Sequence, residues 1–189
     1  QVVIVPIYRK DEEKNLVMET VDNIVRGLGN LRVFVDRREG VTPGFKFNDW
    51  ELKGVPLRIE VGPKDVQNGT LALARRDIPG KESKRFIPMA GFEQAVPAAL
   101  AEIQTNMLAK ATKFRDEHIF EVTNYDEFKD VVENKGWAKV WWYDDAENEA
   151  KIKEETKATL RNQAQSEGEG VCFFTGKKTN KQVYFAKGY

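Results

Sequence analysis

The sequence predicts an α/β protein of two domains, in which a larger domain built on a mixed sheet precedes a smaller one. Apolar runs at residues 2–7 and 31–36 flank an amphipathic helix, which is the pattern of a parallel β-α-β crossover. Asn68-Gly69 is a strong turn signal and favours antiparallel strands around it. A second alternation of helices and strands begins near residue 124, after a charged connection.

In the first domain, residues 1–115, the predicted order is a buried strand at 2–7, a helix at 11–28, a buried strand at 31–36, a helix at 43–53, strands at 55–61, 70–76 and 85–89, and a helix from 92 to about 114. The helix at 43–53 is bounded by Thr42, a good N-cap residue, and by Gly54. In the strand that follows it, Arg58 and Glu60 point the same way because side chains alternate along a strand.

The second domain, residues 116–189, is predicted to be a small mixed α/β unit. Asn124 and Glu127 resemble a capping box and open its first helix. The later elements are a strand at 137–143, a helix at 144–158, a short strand at 159–163 and a hairpin that pairs residues 171–174 with residues 182–186. The predicted core side chains are Trp137, Trp141, Trp142, Phe173, Phe174 and Phe185.

Composition bounds the class of protein. Apolar residues make up 41% of the 189 residues, which is enough for a packed core. The 30 basic residues balance the 30 acidic ones, so the net charge does not favour binding to nucleic acid or to a membrane surface. The sequence contains no apolar run long enough for a spanning helix and no secretory signal. A single cysteine suits a reducing compartment. The start at Gln1, inside an apolar run, leads us to expect a fragment of a longer protein.

Local charge differs between the two halves. Residues 42–89 carry nine basic against six acidic side chains, whereas residues 116–170 carry seven against fifteen. Phosphate contacts are therefore expected on the first half. Two ordinary solvated surfaces would give the same counts.

Three side chains in the first domain suit recognition of an unstacked base. Phe47 and Glu51 lie one helical turn apart, and Arg58 lies in the strand that follows. An aromatic ring offers a stacking surface, a carboxylate accepts the two neighbouring donors of guanine, and an arginine donates to its O6 and N7. The alternative is a core phenylalanine with two solvated charges.

Catalytic patterns are missing from the sequence. His118 has no nearby nucleophile in the sequence and is predicted to be structural or exposed. Cys172 is predicted to be a buried, inert thiol. There is no glycine-rich phosphate loop. We therefore expect no catalysis by this chain alone.

The chain resembles the C-terminal part of prolyl-tRNA synthetase, in the form shared by archaea, eukaryotes and some bacteria. The resemblance rests on Trp50-Glu51-Leu52-Lys53-Gly54-Val55-Pro56 followed by Gly62-Pro63-Lys64-Asp65. It implies an anticodon-binding domain of a class II aminoacyl-tRNA synthetase and a small C-terminal domain. It also implies a cytoplasmic ligase whose upstream catalytic domain attaches proline to tRNA with ATP and magnesium, and which dimerises although this fragment is monomeric.

The resemblance also implies the site residues. Proline anticodons share two guanines, and the matching recognition residues are Phe47, Glu51, Arg58, Asp65 and Lys81. Weaker candidates for phosphate contacts are Lys46, Lys64, Arg75 and Arg76. Trp50 is assigned to the core. A non-catalytic module that docks a protein or another RNA stays open as the alternative function.

Two further expectations concern the second domain. Relatives often hold zinc with four cysteines, but here Cys172 stands alone because Thr175 occupies the second turn position. Residues 143–149 contain no cysteine, so we expect that the domain folds without zinc. In relatives the terminal tyrosine approaches the active site, and Tyr189 is the matching residue.

Overall fold

The computed structural model describes residues 1–188, and its packing divides the chain into two compact units, Gln1–Ala109 and the part from Lys110 onward. The helices are α1 (Asp11–Gly27), α2 (Pro43–Leu52), α3 (Pro63–Asn68), α4 (Phe92–Glu117), α5 (Tyr125–Asn134) and α6 (Ala146–Thr156), with a 3₁₀ helix at Gly80–Ser83. The strands are β1 (Val2–Pro6), β2 (Val33–Val35), β3 (Leu57–Val61), β4 (Thr70–Arg75), β5 (Lys84–Pro88), β6 (Ile119–Glu121), β7 (Trp137–Trp141), β8 (Ala158–Gln163), β9 (Gly170–Val171), β10 (Lys178–Thr179) and β11 (Gln182–Lys187).

The first unit is built on a five-stranded mixed sheet in the order β2-β1-β3-β4-β5. Strands β2, β1 and β3 are parallel, and β4 and β5 continue the sheet antiparallel. One face of the sheet packs on apolar side chains of α1 and α4, including Val21 and Val96, to form the main core. The predicted mixed sheet and parallel crossover are confirmed.

Helix α2 lies against the opposite face of this sheet. It begins as the sequence predicts, since the Thr42 hydroxyl accepts a hydrogen bond from the Phe45 amide at 3.3 Å. The chain leaves it through Gly54, whose φ of 78° favours glycine because a side chain would be strained there. The helix thus leads directly into β3.

Two predictions for the first unit are wrong in detail. The strand at 31–36 is not buried on both faces: β2 is a three-residue edge strand, and Phe34 is 55% exposed. Asn68-Gly69 is not a hairpin turn, because α3 separates β3 from β4 and Gly69 caps that helix with a φ of 61°. A six-residue helix is too short to show an amphipathic period.

The second unit has a four-stranded sheet in the order β6-β7-β11-β8. Its core gathers apolar side chains of this sheet, α5 and α6, with Phe128, Trp142 and Phe185 almost fully buried. The Asn124 side chain caps α5 by accepting from the Glu127 amide at 3.0 Å. The predicted small α/β unit is therefore present.

Three predictions for the second unit are corrected. Residues 171–174 do not pair with residues 182–186, because β11 lies inside the sheet between β7 and β8, and β9 pairs with β10. Trp137 is 40% exposed, since the strand alternation places Ala138 and Val140 in the core instead. Strand β6 lies in the stretch that was assigned to a charged connection.

Candidate nucleic-acid interface

An open cleft of about 280 Å³ lies in the first unit between α2 and the face of the sheet that α1 and α4 leave uncovered. It brings together three of the predicted base-recognition residues, Phe47, Glu51 and Arg58. Its remaining lining residues are Val3, Asn48, Trp50, Val55, Ala74, Arg75, Arg76, Ile78, Gly80 and Ser83.

The Phe47 ring and the Arg58 guanidinium form a stacked pair inside the cleft. The guanidinium carbon lies 4.1 Å from the ring centroid, which is a cation–π geometry. Glu60 holds one edge of the Arg58 guanidinium, because its Oε1 accepts hydrogen bonds from Arg58 Nε at 3.1 Å and from Nη2 at 3.0 Å. Lys84 Nζ donates to the second oxygen of Glu60 at 2.6 Å.

The Glu51 carboxylate is exposed at the rim of the cleft, and within residues 1–188 it has no hydrogen-bond or ion-pair partner. Its main-chain carbonyl accepts a hydrogen bond from Arg76 Nε at 3.0 Å, which ties the end of α2 to the end of β4. The carboxylate is therefore available as an acceptor for a ligand, while its backbone is fixed.

Asp36 anchors α2 to the sheet. Its side chain is fully buried and accepts from the Trp50 indole nitrogen at 2.8 Å and from Arg38 Nη2 at 2.7 Å. Burial alone would raise the pKa of Asp36, but the hydrogen bonds from Arg38 and Trp50 outweigh it and hold this pKa well below its usual range. Lys46 Nζ also donates to the Asp36 carbonyl at 3.1 Å.

This anchor changes the interpretation of two α2 residues. Lys46, predicted as a phosphate contact, is only 7% exposed and is paired with Asp36, so its ammonium does not face a ligand. Trp50, predicted as a core residue, is partly exposed, lines the cleft and packs against Phe34 with 4.9 Å between ring centroids.

Arg75 reaches the cleft wall but is already paired. Its guanidinium donates to both carboxylate oxygens of Asp77, at 3.0 and 2.8 Å, and to Glu102 at 2.6 Å. The hydrogen bonds from Arg75 and Asn106 lower the pKa of Asp77 to about 2 despite its burial. Arg75 therefore fixes the cleft wall and does not offer a free charge to phosphate.

Of the other predicted residues, Arg76 lines the cleft, whereas Asp65, Lys64 and Lys81 lie outside its lining. Asp65 sits in the first turn of α3, where its Oδ2 accepts from the Gly62 amide at 2.8 Å. Lys64 is exposed in the same turn. Lys81 is exposed in the 3₁₀ helix, between Gly80 and Ser83 that do line the cleft. Tyr189 lies outside the described residues.

Sequence reasoning missed the supporting carboxylates Asp36 and Glu60. Asp36 carried no signal beyond its place at the end of an apolar run. Glu60 carried a usable one, since a strand that places Glu60 and Arg58 on one face puts a carboxylate beside the guanidinium. The alternation along β3 places Arg58 and Glu60 on the same face of the strand, but it does not show that Glu60 is buried.

The second unit holds Cys172 as a buried free cysteine at the turn where the resemblance places a zinc ligand. Burial alone would raise the pKa of this thiol, yet hydrogen bonds from Thr175 and nearby backbone amides lower it. Within residues 1–188 no three His, Cys, Asp or Glu side chains are grouped to hold a metal ion. A structural zinc needs four ligands, so the residues present do not fit it.

His118, which the sequence predicts to be structural or exposed, lies in the second unit. Its Nδ1 donates a hydrogen bond to the Phe114 carbonyl at 2.7 Å, and its ring stacks on the Phe114 ring. No helix in the described part of the chain has the length and apolar character to cross a membrane.

The cleft of the first unit offers a ring, a guanidinium and a free carboxylate, which can stack on and hydrogen-bond to a planar base.

The fold is a two-unit α/β protein with a cleft suited to a planar base, and two family models give its class. A family model described as "Anticodon binding domain" matches residues 1–96, and one described as "Prolyl-tRNA synthetase, C-terminal" matches residues 125–189. The chain therefore belongs to the anticodon-binding domain family over its first part, and its second part is the C-terminal domain of prolyl-tRNA synthetases.

Curated relatives and solved structures agree with this assignment. A "Proline--tRNA ligase" of Chloroflexus aurantiacus is 50% identical over all of this chain, and a chloroplastic/mitochondrial one of Arabidopsis thaliana is 41% identical. The Giardia lamblia prolyl-tRNA synthetase structure, in complex with prolyl-adenylate, covers the whole chain at a TM-score of 0.89 and 31% identity.

The matched stretch is only part of each relative. The chain spans 40% of the Chloroflexus ligase, 36% of the Arabidopsis ligase and 42% of the Giardia chain. In these ligases it corresponds to the C-terminal part. The resemblance to prolyl-tRNA synthetase drawn from the sequence is confirmed.

Proposed function

We propose that this chain is the tRNA-recognition part of a proline–tRNA ligase and that its cleft reads the anticodon of proline tRNA. The observation that carries the proposal is the convergence of Phe47, Glu51 and Arg58 in one cleft of the anticodon-binding unit. The alternative of a protein-docking module is not favoured, because the relatives are ligases that act on tRNA.

The chemistry of the cleft fits guanine. The free Glu51 carboxylate accepts from the two neighbouring donors on the Watson–Crick edge, and Arg58 donates to the O6 and N7 acceptors of a guanine. The Phe47 ring supplies the stacking surface for an unstacked base, while Arg58 donates in the plane of its guanidinium. Adenine presents an amino donor where guanine has O6, and it lacks both neighbouring donors because its N1 is an acceptor and its C2 carries no amino group. It therefore satisfies neither Glu51 nor Arg58 fully.

Charged side chains at the edge of the cleft and beyond it complete the proposal. Arg76 and Lys81 are exposed near the rim and are proposed to contact phosphate or a base, as is Lys64 on α3. Asp65 keeps one carboxylate oxygen beyond the one that caps α3, and we retain it as a guanine acceptor. Lys46 and Arg75 are left out because their charges are paired inside the unit.

The larger protein is proposed by family membership. The upstream part, which this chain does not include, would attach proline to tRNA with ATP and magnesium, and the full enzyme would be a homodimer with this fragment monomeric. Tyr189 is proposed to approach that active site. The protein is proposed to act in the cytoplasm, although the Arabidopsis relative is chloroplastic/mitochondrial by name. Zinc is proposed to be absent from the second unit.

The experiment is binding of this chain to a stem–loop that carries the proline anticodon, compared with the same stem–loop carrying adenines in place of the two guanines. We expect the wild type to prefer guanine. Glu51→Gln should lower this preference about tenfold, because one bidentate base contact is worth about 1–3 kcal/mol of discrimination.

Glu19→Gln is the matched control, since it removes the same charge from an exposed position on α1, away from the cleft. It should leave the preference unchanged. Equal binding of both stem–loops by the wild type, weak and strongly dependent on salt, would remove the base-reading function and leave only an electrostatic surface.

A further inference from the structure

Glu60 is a buried carboxylate in the middle of the sheet face that forms the floor of the cleft. Only 3% of the residue is exposed. A buried charge is unfavourable unless donors surround it, and here three nitrogens do so: Arg58 Nε, Arg58 Nη2 and Lys84 Nζ. Both Arg58 hydrogen bonds end on the same oxygen, so the second oxygen is left to the lysine.

The neighbouring strand makes room for this arrangement. Ala72 lies directly opposite Glu60, and Ala74 lies directly opposite Arg58, in the β3–β4 register. Both alanines are buried and end at Cβ. The small alanines leave space on this face of β4 beside the long side chains of Glu60 and Arg58, and larger side chains there would fill that space.

The consequence is a fixed orientation of the guanidinium. Its Nε–Nη2 edge is held by Glu60 and one of its faces lies over the Phe47 ring. Within residues 1–188 the remaining nitrogen, Nη1, has no protein acceptor. Because the side chain lines the cleft, the donors left over are those that a ligand can use.

We propose that Glu60 is a positioning residue that sets the base preference of the cleft by fixing the Arg58 guanidinium against Phe47. The inference rests on the proposed function, because it concerns how the same cleft selects guanine. Glu60 itself does not touch the base. It acts by removing the other side-chain conformations that Arg58 would sample in an open cleft.

The test compares Glu60→Gln with wild type for binding to the guanine and the adenine stem–loops described above. We expect the preference for guanine to fall about tenfold, as for loss of one bidentate contact, while binding of the adenine stem–loop stays the same. Arg58→Ala should lower the preference as well. Adding Glu60→Gln to Arg58→Ala should lower it no further, because both changes remove the same oriented donor.

Lys84→Gln separates positioning from charge. It removes the other partner of Glu60 but leaves the Arg58–Glu60 hydrogen bonds in place. Lys84 is partly exposed, so its loss should weaken both stem–loops by the same factor and keep the ratio between them. If Glu60 only stabilised the fold, Glu60→Gln and Lys84→Gln would not differ in their effect on the ratio between the two stem–loops.

Several results would overturn the inference. Glutamine keeps one oxygen that can still accept from Arg58, whereas Glu60→Asp keeps the charge but moves the carboxylate away from Arg58. A preference for guanine that survives Glu60→Asp but is lost in Arg58→Ala therefore refutes positioning and leaves the proposed function intact, whether or not Glu60→Gln folds. A folded Glu60→Asp with unchanged preference contradicts the inference. A wild type without any preference overturns the proposed function itself, and this inference with it.

Discussion

Replacing Asp36 by asparagine tests whether one buried carboxylate holds α2 over the sheet. The carboxylate accepts from the Arg38 amide, from two Arg38 side-chain nitrogens and from the Trp50 indole, at distances between 2.7 and 3.1 Å. It also lies 3.8 Å from the buried ammonium of Lys46. In the variant the amide nitrogen faces these donors, and the lysine loses its counter-charge.

The size of the effect follows from this environment. Removing one partner of a buried ion pair costs about 3–5 kcal/mol, because the other charge stays buried and unpaired. Arg38 is 41% exposed and can return to water, and Lys46 keeps its hydrogen bond to the Asp36 carbonyl. We therefore expect a loss near the lower limit, about 3 kcal/mol of the unfolding free energy of the first unit.

Native-state hydrogen exchange is the appropriate assay because the chain has two units. Amides of β1 and β3 report on the first unit, and amides of β7 and β11 serve as the reference within the same molecule. Glu39→Gln is the control variant, since it breaks an exposed ion pair with Lys14 and should change little. A loss below about 1 kcal/mol, or an equal loss in both units, would refute the anchor.

Two further predictions concern acid stability and metal. The pKa of Asp77 is lowered to about 2 in the folded state from a reference value of 3.8. Its contribution of about 2 kcal/mol is therefore complete above pH 4 and lost as the pH falls through 2. Asp77→Asn should flatten this acid decline when first-unit exchange is measured across the range, and an unchanged slope would contradict the assignment. For the second unit, elemental analysis should find zinc far below one atom per chain, and a chelator should leave the circular dichroism unchanged; one tightly bound zinc per chain would refute the proposal.

The sequence was a good guide where local signals and the burial pattern agreed. Thr42 and Gly54 bound α2 as predicted, and the apolar faces of α1 and α5 form the cores of their units. The same signals failed where the pairing is non-local. Nothing in residues 171–186 shows that β11 pairs with β7 and β8, because strand partners are chosen by the whole sheet.

For the candidate site, the sequence by itself determined which chemical groups are present. It placed Phe47 and Glu51 one turn apart and set Arg58 on the same strand face as Glu60, because helix and strand periods are local properties. The motif around residues 50–65 also pointed to the family that the comparisons show.

Only the tertiary structure decided which of these charges are free. Lys46 and Arg75 were equivalent to Lys64 and Arg76 in the sequence, yet the fold pairs the first two with buried aspartates. It leaves the Glu51 carboxylate exposed and places the Glu60 carboxylate beneath Arg58. The physical reason is that burial and ion pairing depend on side chains from separate strands and helices, and no local pattern fixes which of them meet.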